Sequence, residues 1–459
     1  MVVDDEDRVK ELLKRYSKFK PSKYNFLFIK HNEHFLFNTL SRCFIRILDK
    51  SSVLELINKK VINRKILLEN KEISLNLLKG GFIVPSEYNE IEIIKYLNTL
   101  SRYQSDFLNL TIAMTLNCNF ACSYCYENQT VENNGECIKK RVMEGLFRYL
   151  EGISKTIKGL NIVWYGGEPL LCMRKIEVMS ERIMNICQNK GWTYKASMIT
   201  NGYLLSEDVS RKLNILGINH IQVTLDGPEA IHDKRRPLKS GKGTFEVIIR
   251  NLNILLNSTK EISVGIRINV DRDNIESIED LLNFLSSNFD KRRVKVYFGP
   301  TLHVNPDIPC SPYYFSEKDF GKQFTRLINI FRKYGYYKNY TITPVFNRCL
   351  SIGENAYAID PDGNLYKCWI DIGNTEHSVG RIKGNGKVEI YWDKYLRWLN
   401  YDPISVCKEC VFLPLCAGGC YWFGLNGNQP RCSSIKFSLV DSLFLSTKNQ
   451  KGGDNGSLT

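Results

Sequence analysis

The placement of its cysteines constrains this chain more than any other feature. There are 15 of them. Cys118, Cys122 and Cys125 fall within eight residues, in the stretch Leu116-Asn-Cys-Asn-Phe-Ala-Cys-Ser-Tyr-Cys-Tyr126. Three thiolates in one tight loop suit a cubane iron–sulfur cluster, whose irons lie close together. Three ligands for four irons leave one iron open to a non-protein ligand. A structural zinc takes a fourth protein ligand, and the neighbours Asn117, Asn119 and Ser123 are poor ones. A second group contains Cys349, Cys368, Cys407, Cys410, Cys416, Cys420 and Cys432. Its Cys407-x2-Cys410-x5-Cys416-x3-Cys420 run, taken alone, also fits zinc. The other five, Cys43, Cys137, Cys172, Cys187 and Cys310, stand singly and read as small buried hydrophobes.

Composition narrows the setting. At 43% hydrophobic and 24% charged, the 459 residues are ordinary globular material for several domains. No stretch approaches a membrane-spanning apolar run. The start, Met1 to Lys10, is acidic and carries no signal-peptide core. The expectation is a cytoplasmic protein without a membrane partner, whose thiols stay reduced and serve as ligands.

Strand and helix patterns alternate after the first cysteine loop. Leu108–Leu116 reads as a buried strand leading into it. Further strands are expected over Leu160–Tyr165, Lys195–Thr200, His220–Leu225, Ser263–Val270 and Val294–Phe298. Helices are expected over Ile138–Tyr149, Arg174–Gln188, Ser206–Leu216, Thr244–Leu256, Ile275–Phe289 and Glu317–Lys333. Such alternation predicts an α/β fold, a partial (β/α)6 TIM-like barrel, with its chemistry at the C-terminal ends of the strands. Polar and glycine motifs sit at those ends: Gly166-Gly-Glu-Pro169, Thr200-Asn-Gly202, and Thr224-Leu-Asp-Gly227 followed by His232, Asp233, Arg235 and Arg236. Arg267 and Asn269 lie on the fifth strand.

Together these residues resemble the radical S-adenosylmethionine (SAM) superfamily over roughly residues 105–435. The resemblance implies that Cys118, Cys122 and Cys125 are catalytic and hold a SAM-binding [4Fe–4S] cluster. It implies that Tyr124, Gly166, Gly167, Glu168, Thr200, Asn201, Thr224 and Arg236 bind SAM. The Gly166–Pro169 element takes the SAM amino group, and Thr224 stands where serine is commoner but keeps the hydroxyl. The second cysteine group resembles the SPASM extension, which carries two auxiliary [4Fe–4S] clusters and makes three in all. By that resemblance Cys407, Cys410, Cys416 and Cys432 hold the outer one, and Cys349, Cys368 and Cys420 the inner one. The inner set is one cysteine short. An open iron, a non-cysteine ligand or Cys310 completes it.

The first hundred residues read as strands over Lys23–Lys30 and Glu33–Asn38, helices over Val53–Lys59 and Ile66–Leu78, a strand over Phe82–Val84 and a helix over Glu90–Ser101. They resemble the winged-helix peptide-recognition domain of peptide-modifying radical SAM enzymes. The expected organisation is that domain over 1–103, the barrel over 104–335, the SPASM domain over 336–440 and a disordered tail over 441–459. The resemblance implies an enzyme that cleaves SAM to a 5′-deoxyadenosyl radical. That radical installs a cross-link, a thioether, in a ribosomally made precursor peptide whose leader binds the N-terminal domain. A flavodoxin- or ferredoxin-type donor supplies the electron. The alternative is an anaerobic sulfatase-maturating enzyme forming formylglycine. In that branch an aspartate base directly follows the cysteine matching Cys368, whereas this chain has Trp369 there and its nearest aspartate is Asp371. The formal charge of +14 does not redirect the reading to nucleic acid. Ten ligating thiolates remove about ten charges and three cluster cores return about six, and no basic block stands out.

Overall fold

The computed structural model of the protein describes residues 6–125, 127, 136–153, 156–301, 304, 313–337, 342–346, 349–427 and 431–447. The chain divides into two compact units. One holds residues 1–103, 339–349 and 401–459, the other residues 104–338 and 350–400.

In the first unit, β1 (Lys18–Pro21) precedes a hairpin of β2 (Asn25–Lys30) and β3 (Glu33–Asn38). The residues between them, His31 and Asn32, have φ of 53° and 61°. Two positive φ values in a two-residue turn match the right-handed twist of the strands it joins. β4 (Phe44–Ile47) completes this sheet, and β5 (Ile62–Asn63) and β6 (Ile83–Pro85) flank β1 in another. The single helix expected over Ile66–Leu78 is two, Arg64–Glu69 and Lys71–Lys79. Asn70 leaves the helical region (φ −106°, ψ 52°). Its side-chain amide turns back on the Ile66 carbonyl at 3.4 Å, the local competition that makes asparagine a weak helix former. Phe19, Leu36, Leu56, Leu77 and Phe82 form the core here. The helix Ile435–Thr447 runs through position 441, where a disordered tail is expected to begin. It is held there because Leu439 and Leu443 pack with Phe37 and Leu415. Residues 448–459 lie outside the described residues.

The second unit carries the expected alternation. β7 (Phe107–Ala113), β8 (Gly159–Tyr165), β9 (Thr193–Thr200), β10 (Ile218–Thr224), β11 (Ser263–Val270) and β12 (Val294–Pro300) lie side by side in chain order. All are parallel to their neighbours. Helices follow each strand, the longest being Met173–Lys190 and Glu317–Lys333. The six strands form a partial (β/α)6 barrel. Alternate apolar side chains of β7 and β8 (Leu108, Leu110, Ile112; Ile162, Trp164) share one face of the sheet and are buried there. β13 (Ala356–Ile359) joins β7 in parallel, and β14 (Asn364–Tyr366), β15 (Gly380–Ile382) and β16 (Val388–Ile390) continue antiparallel. No helix among the described residues is long and apolar enough to cross a membrane.

Candidate active site

The cysteine loop leaves β7 and is held by backbone bonds along its length. Met114 N–H donates to the Tyr165 carbonyl (2.9 Å), Ala121 N–H to Pro237 (2.9 Å) and Ser123 N–H to Arg235 (3.1 Å). The loop therefore lies against the ends of β8 and of the segment after β10. Two glycines make that approach possible. A Cβ on Gly166 would meet the Thr115 carbonyl oxygen at 2.2 Å, and one on Gly167 would meet that of Asn117 at 2.4 Å. Gly166 also has φ of 120°, which side-chain-bearing residues rarely adopt.

Cys118, Cys122 and Cys125 line one cavity of about 260 Å³. Gly166, Gly167, Thr200, Asn201, Thr224 and Arg236 line it too. Cys118 Sγ accepts from the Phe120 N–H at 3.4 Å and lies 3.8 Å from Asn201 Nδ2. Burial pushes the Cys118 thiol up to about 12, with Glu168, Cys122 and Cys125 adding negative charge nearby. Burial raises Cys122 as well, against the opposing pull of Arg236. Thiols so placed become thiolates when a positive group sits among them, which is what an iron–sulfur core supplies. Among the described residues no three His, Cys, Asp or Glu side chains converge on a single-ion site. Three thiols on the wall of one cavity are a donor set that fits an iron–sulfur cluster.

Tyr124 has a role beyond an aromatic position. Its hydroxyl donates to Asp226 and accepts from Arg236 Nη1 (2.6 Å) and Asn269 Nδ2 (3.1 Å). Asp226 also accepts from the Asn269 N–H at 3.0 Å. Arg235 stacks 5.1 Å over the Tyr124 ring and forms a two-pronged pair with Asp271, both contacts 2.9 Å. The three-cysteine loop is thereby tied to the ends of β10 and β11. Asp271 and the anchoring parts of Asp226 and Asn269, both of which the sequence named without that role, escaped the sequence reading, because nothing in spacing reveals that one hydroxyl collects three partners.

Glu168 is held by bonds within the protein. It is fully buried and does not line the cavity. Its carboxylate accepts from Thr200 Oγ1 (2.7 Å), Asn201 N–H (2.7 Å) and Leu170 N–H (3.0 Å). Burial pushes it up to about 7. It fastens β9's end behind the glycine loop. Glu127, Tyr165 and Gln222, which the sequence did not single out, also line the cavity, and so does Trp369, which it named as standing in place of an aspartate. Trp369 stacks on Tyr165 with ring centroids 5.7 Å apart and planes 21° apart. Asp371, the nearest aspartate, lies elsewhere, taking His377 Nδ1 at 2.7 Å.

In the first unit, Cys407, Cys410, Cys416 and Cys432 line one small cavity of about 30 Å³. Burial pushes Cys407 up to about 11, with Cys410, Cys416 and Cys432 as the next contributors. Cys420 and the exposed Cys349 belong to this unit, and the buried Cys368 to the other. Cys310 lies outside the described residues. The single cysteines need one correction. Cys137 and Cys172 are joined in a disulfide, so they are neither reduced nor simple packing. They stand 35 residues apart in sequence, and the neighbouring ends of β7 and β8 bring them together.

Residues 112–285 match the family model of the radical SAM superfamily. The chain is similar to the serine-type anaerobic sulfatase-maturating enzyme of Klebsiella aerogenes, 25% identical over 349 residues, which cover 71% of this chain and 82% of that protein. It is also similar to the radical SAM cyclopropyl synthase TigE of Paramaledivibacter caminithermalis, 21% identical over 400 residues, 78% of this chain and 79% of that protein. Among solved structures, native anSMEcpe with bound AdoMet and Cp18Cys peptide superposes with a TM-score of 0.57 at 17% identity, over 74% of this chain and 99% of that one. That likeness shows the fold.

Proposed function

We propose, from the premise that residues 112–285 form a radical SAM domain and that the chain is an enzyme, that it is a cytoplasmic peptide maturase. It installs a cross-link, a thioether from a cysteine sulfur to a carbon, in a ribosomally made precursor peptide. The single observation that carries the reading is the cavity in which Cys118, Cys122 and Cys125 meet Gly166, Gly167, Thr200, Thr224 and Arg236. The three cysteines would hold the cluster, and the other five, with Tyr124 and Asn201, would hold SAM. When bound, cluster and SAM supply a 5′-deoxyadenosyl radical, given one electron from a flavodoxin- or ferredoxin-type donor. The protein's part is to position and to exclude water, and Ile199, Val304 and Trp369 give the cavity an apolar side. Glu168 acts from behind, holding Thr200 and Asn201.

Two auxiliary clusters belong to the proposal, in a SPASM domain over 336–440. The outer one takes Cys407, Cys410, Cys416 and Cys432, a set supported by their common cavity. The inner one takes Cys349, Cys368 and Cys420 and leaves an iron open to a peptide thiolate. The winged-helix-like domain over 1–103 binds the leader as an added strand. The edge strand β2, with Leu27 and Ile29 exposed, supports this.

A second reading, formylglycine formation, is favoured by the sulfatase-maturating relative. Against it stand Trp369 on the cavity wall and the engagement of Asp371 by His377. Co-expression with small cysteine-bearing peptides encoded beside the gene tests both. Loss of two hydrogen atoms per link supports the thioether. An aldehyde trapped by a hydrazide supports formylglycine, and an unmodified peptide beside an enzyme that releases deoxyadenosine counts against both. Serine at Cys118, Cys122 and Cys125 together is expected to abolish deoxyadenosine formation, and wild-type turnover in that variant sinks the cluster assignment.

A further inference from the structure

The cavity holds a cation that the reading above does not use. Arg267 lies on β11, paired in register with Thr224 of β10 and Tyr297 of β12, and it lines the cavity. Its Nε donates to Asn269 Oδ1 at 2.8 Å. No carboxylate or carbonyl among the described residues takes its Nη1 or Nη2. The two neighbouring arginines differ: Arg235 is matched by Asp271, and Arg236 donates to Tyr124. Space is left for the open end of Arg267. A Cβ on Gly299, in the adjacent strand, would stand 3.2 Å from its Nη2. Its direction is set as well, because the Asn269 that holds Nε also donates to the Tyr124 hydroxyl of the cluster loop.

A second donor faces the same space. Gln222 lines the cavity, and its Oε1 accepts from the Tyr297 hydroxyl. That bond fixes the amide, so the Nε2 end has its hydrogens to give and no partner among the described residues. A guanidinium fork and an amide N–H group are donors only. Their complement is an acceptor-only group, and the planar fork matches a carboxylate in two-pronged fashion. The one carboxylate among the described lining residues, Glu127, bonds instead to Tyr165.

We infer that Arg267, assisted by Gln222, binds a carboxylate of the peptide substrate and so sets which substrates enter the cavity. The inference rests on reading this cavity as the substrate chamber of a SAM-dependent peptide maturase. The carboxylate belongs either to the peptide's C-terminus or to an aspartate or glutamate side chain. The SAM carboxylate is the competing occupant, and the resemblance places Thr224 and Arg236 among the residues that bind SAM.

The test uses cluster-loaded enzyme with SAM and two matched pairs of probes, titrated calorimetrically. One pair is acetyl-alanyl-alanine and its C-terminal amide. The other is acetyl-glutamyl-alanine amide and acetyl-glutaminyl-alanine amide. At least one acid is expected to bind roughly tenfold or more tightly than its neutral partner, as a charge-assisted pair allows. The pair that discriminates identifies the source. Arg267→Met is expected to erase the difference and Arg267→Lys to keep part of it. Equal binding within both pairs by the unmodified enzyme overturns the inference without recourse to any variant. So does discrimination that survives in Arg267→Met, or a comparable loss of SAM affinity in that variant. Deoxyadenosine released on reduction is scored on the same samples. Acid-selective binding without SAM cleavage counts against the maturase reading alone, and cleavage without selectivity counts against the carboxylate site alone.

Discussion

At the scale of single residues, the site is governed by which buried polar groups find partners. Glu168 shows this: three donors meet its carboxylate, so it fastens the glycine loop to β9. His377 shows it at a half-exposed position. Its bond to Asp371 raises its pKa above the usual histidine value, against a smaller loss from burial. The folded protein therefore binds the proton more tightly than the unfolded chain does. The stabilisation is complete below about pH 6.5, the unfolded value, and disappears as the pH rises through the folded value. Solvent screens this pair, so it is worth about 0.5 kcal/mol. The melting temperature of His377→Gln should fall short of wild type at pH 5.5 and converge with it by pH 9. A gap that stays constant across that range means the pair contributes nothing through charge.

At the scale of elements, the strands of the second unit were legible because their apolar runs are long and regularly spaced. Ser263–Val270 and Glu317–Lys333 agree with the expected limits residue for residue. The helix break at Asn70 was not legible, since the apolar pattern continues across it. The glycine loop falls between these cases. Its glycines were read as exposing backbone to a ligand, and the structure adds close contact with the cysteine loop. Gly167→Ala puts a methyl group 2.4 Å from the Asn117 carbonyl oxygen, and overpacking of this kind costs about 1–3 kcal/mol. Gly191→Ala is the comparison. It sits at φ of 68° with nothing within 4 Å of the added carbon, so it costs about 1 kcal/mol in backbone conformation alone. Both variants should melt lower, and only Gly167→Ala should lose iron from the three-cysteine loop. Full iron retention there would show that the two loops are not in the contact described.

At the scale of the whole molecule, the first unit is assembled from chain segments far apart in sequence. Phe444, near the C-terminus, packs edge-on against Phe28, Phe35 and Phe44 of the N-terminal sheet, with centroids 6.4, 5.1 and 5.8 Å away. Phe444→Ala should cost about 3 kcal/mol in denaturant unfolding of this unit, and an unchanged midpoint would show that the helix Ile435–Thr447 does not staple the sheet. The sequence by itself determined the βα alternation, the gathering of three cysteines in one short loop and the strand ends that carry the glycine and polar motifs. Those features are local, written in periodicity and spacing over a few residues. Only the tertiary structure decided that Glu168 bonds to Thr200 and Asn201, that Cys137 meets Cys172, that Trp369 and Arg267 line the chamber, and that the last described helix belongs with the first strands. Each of those depends on which strand ends become neighbours and on which buried group has its bonds already filled. Proximity of that kind is a property of the assembled sheet and the packed core, and no spacing along the chain encodes it.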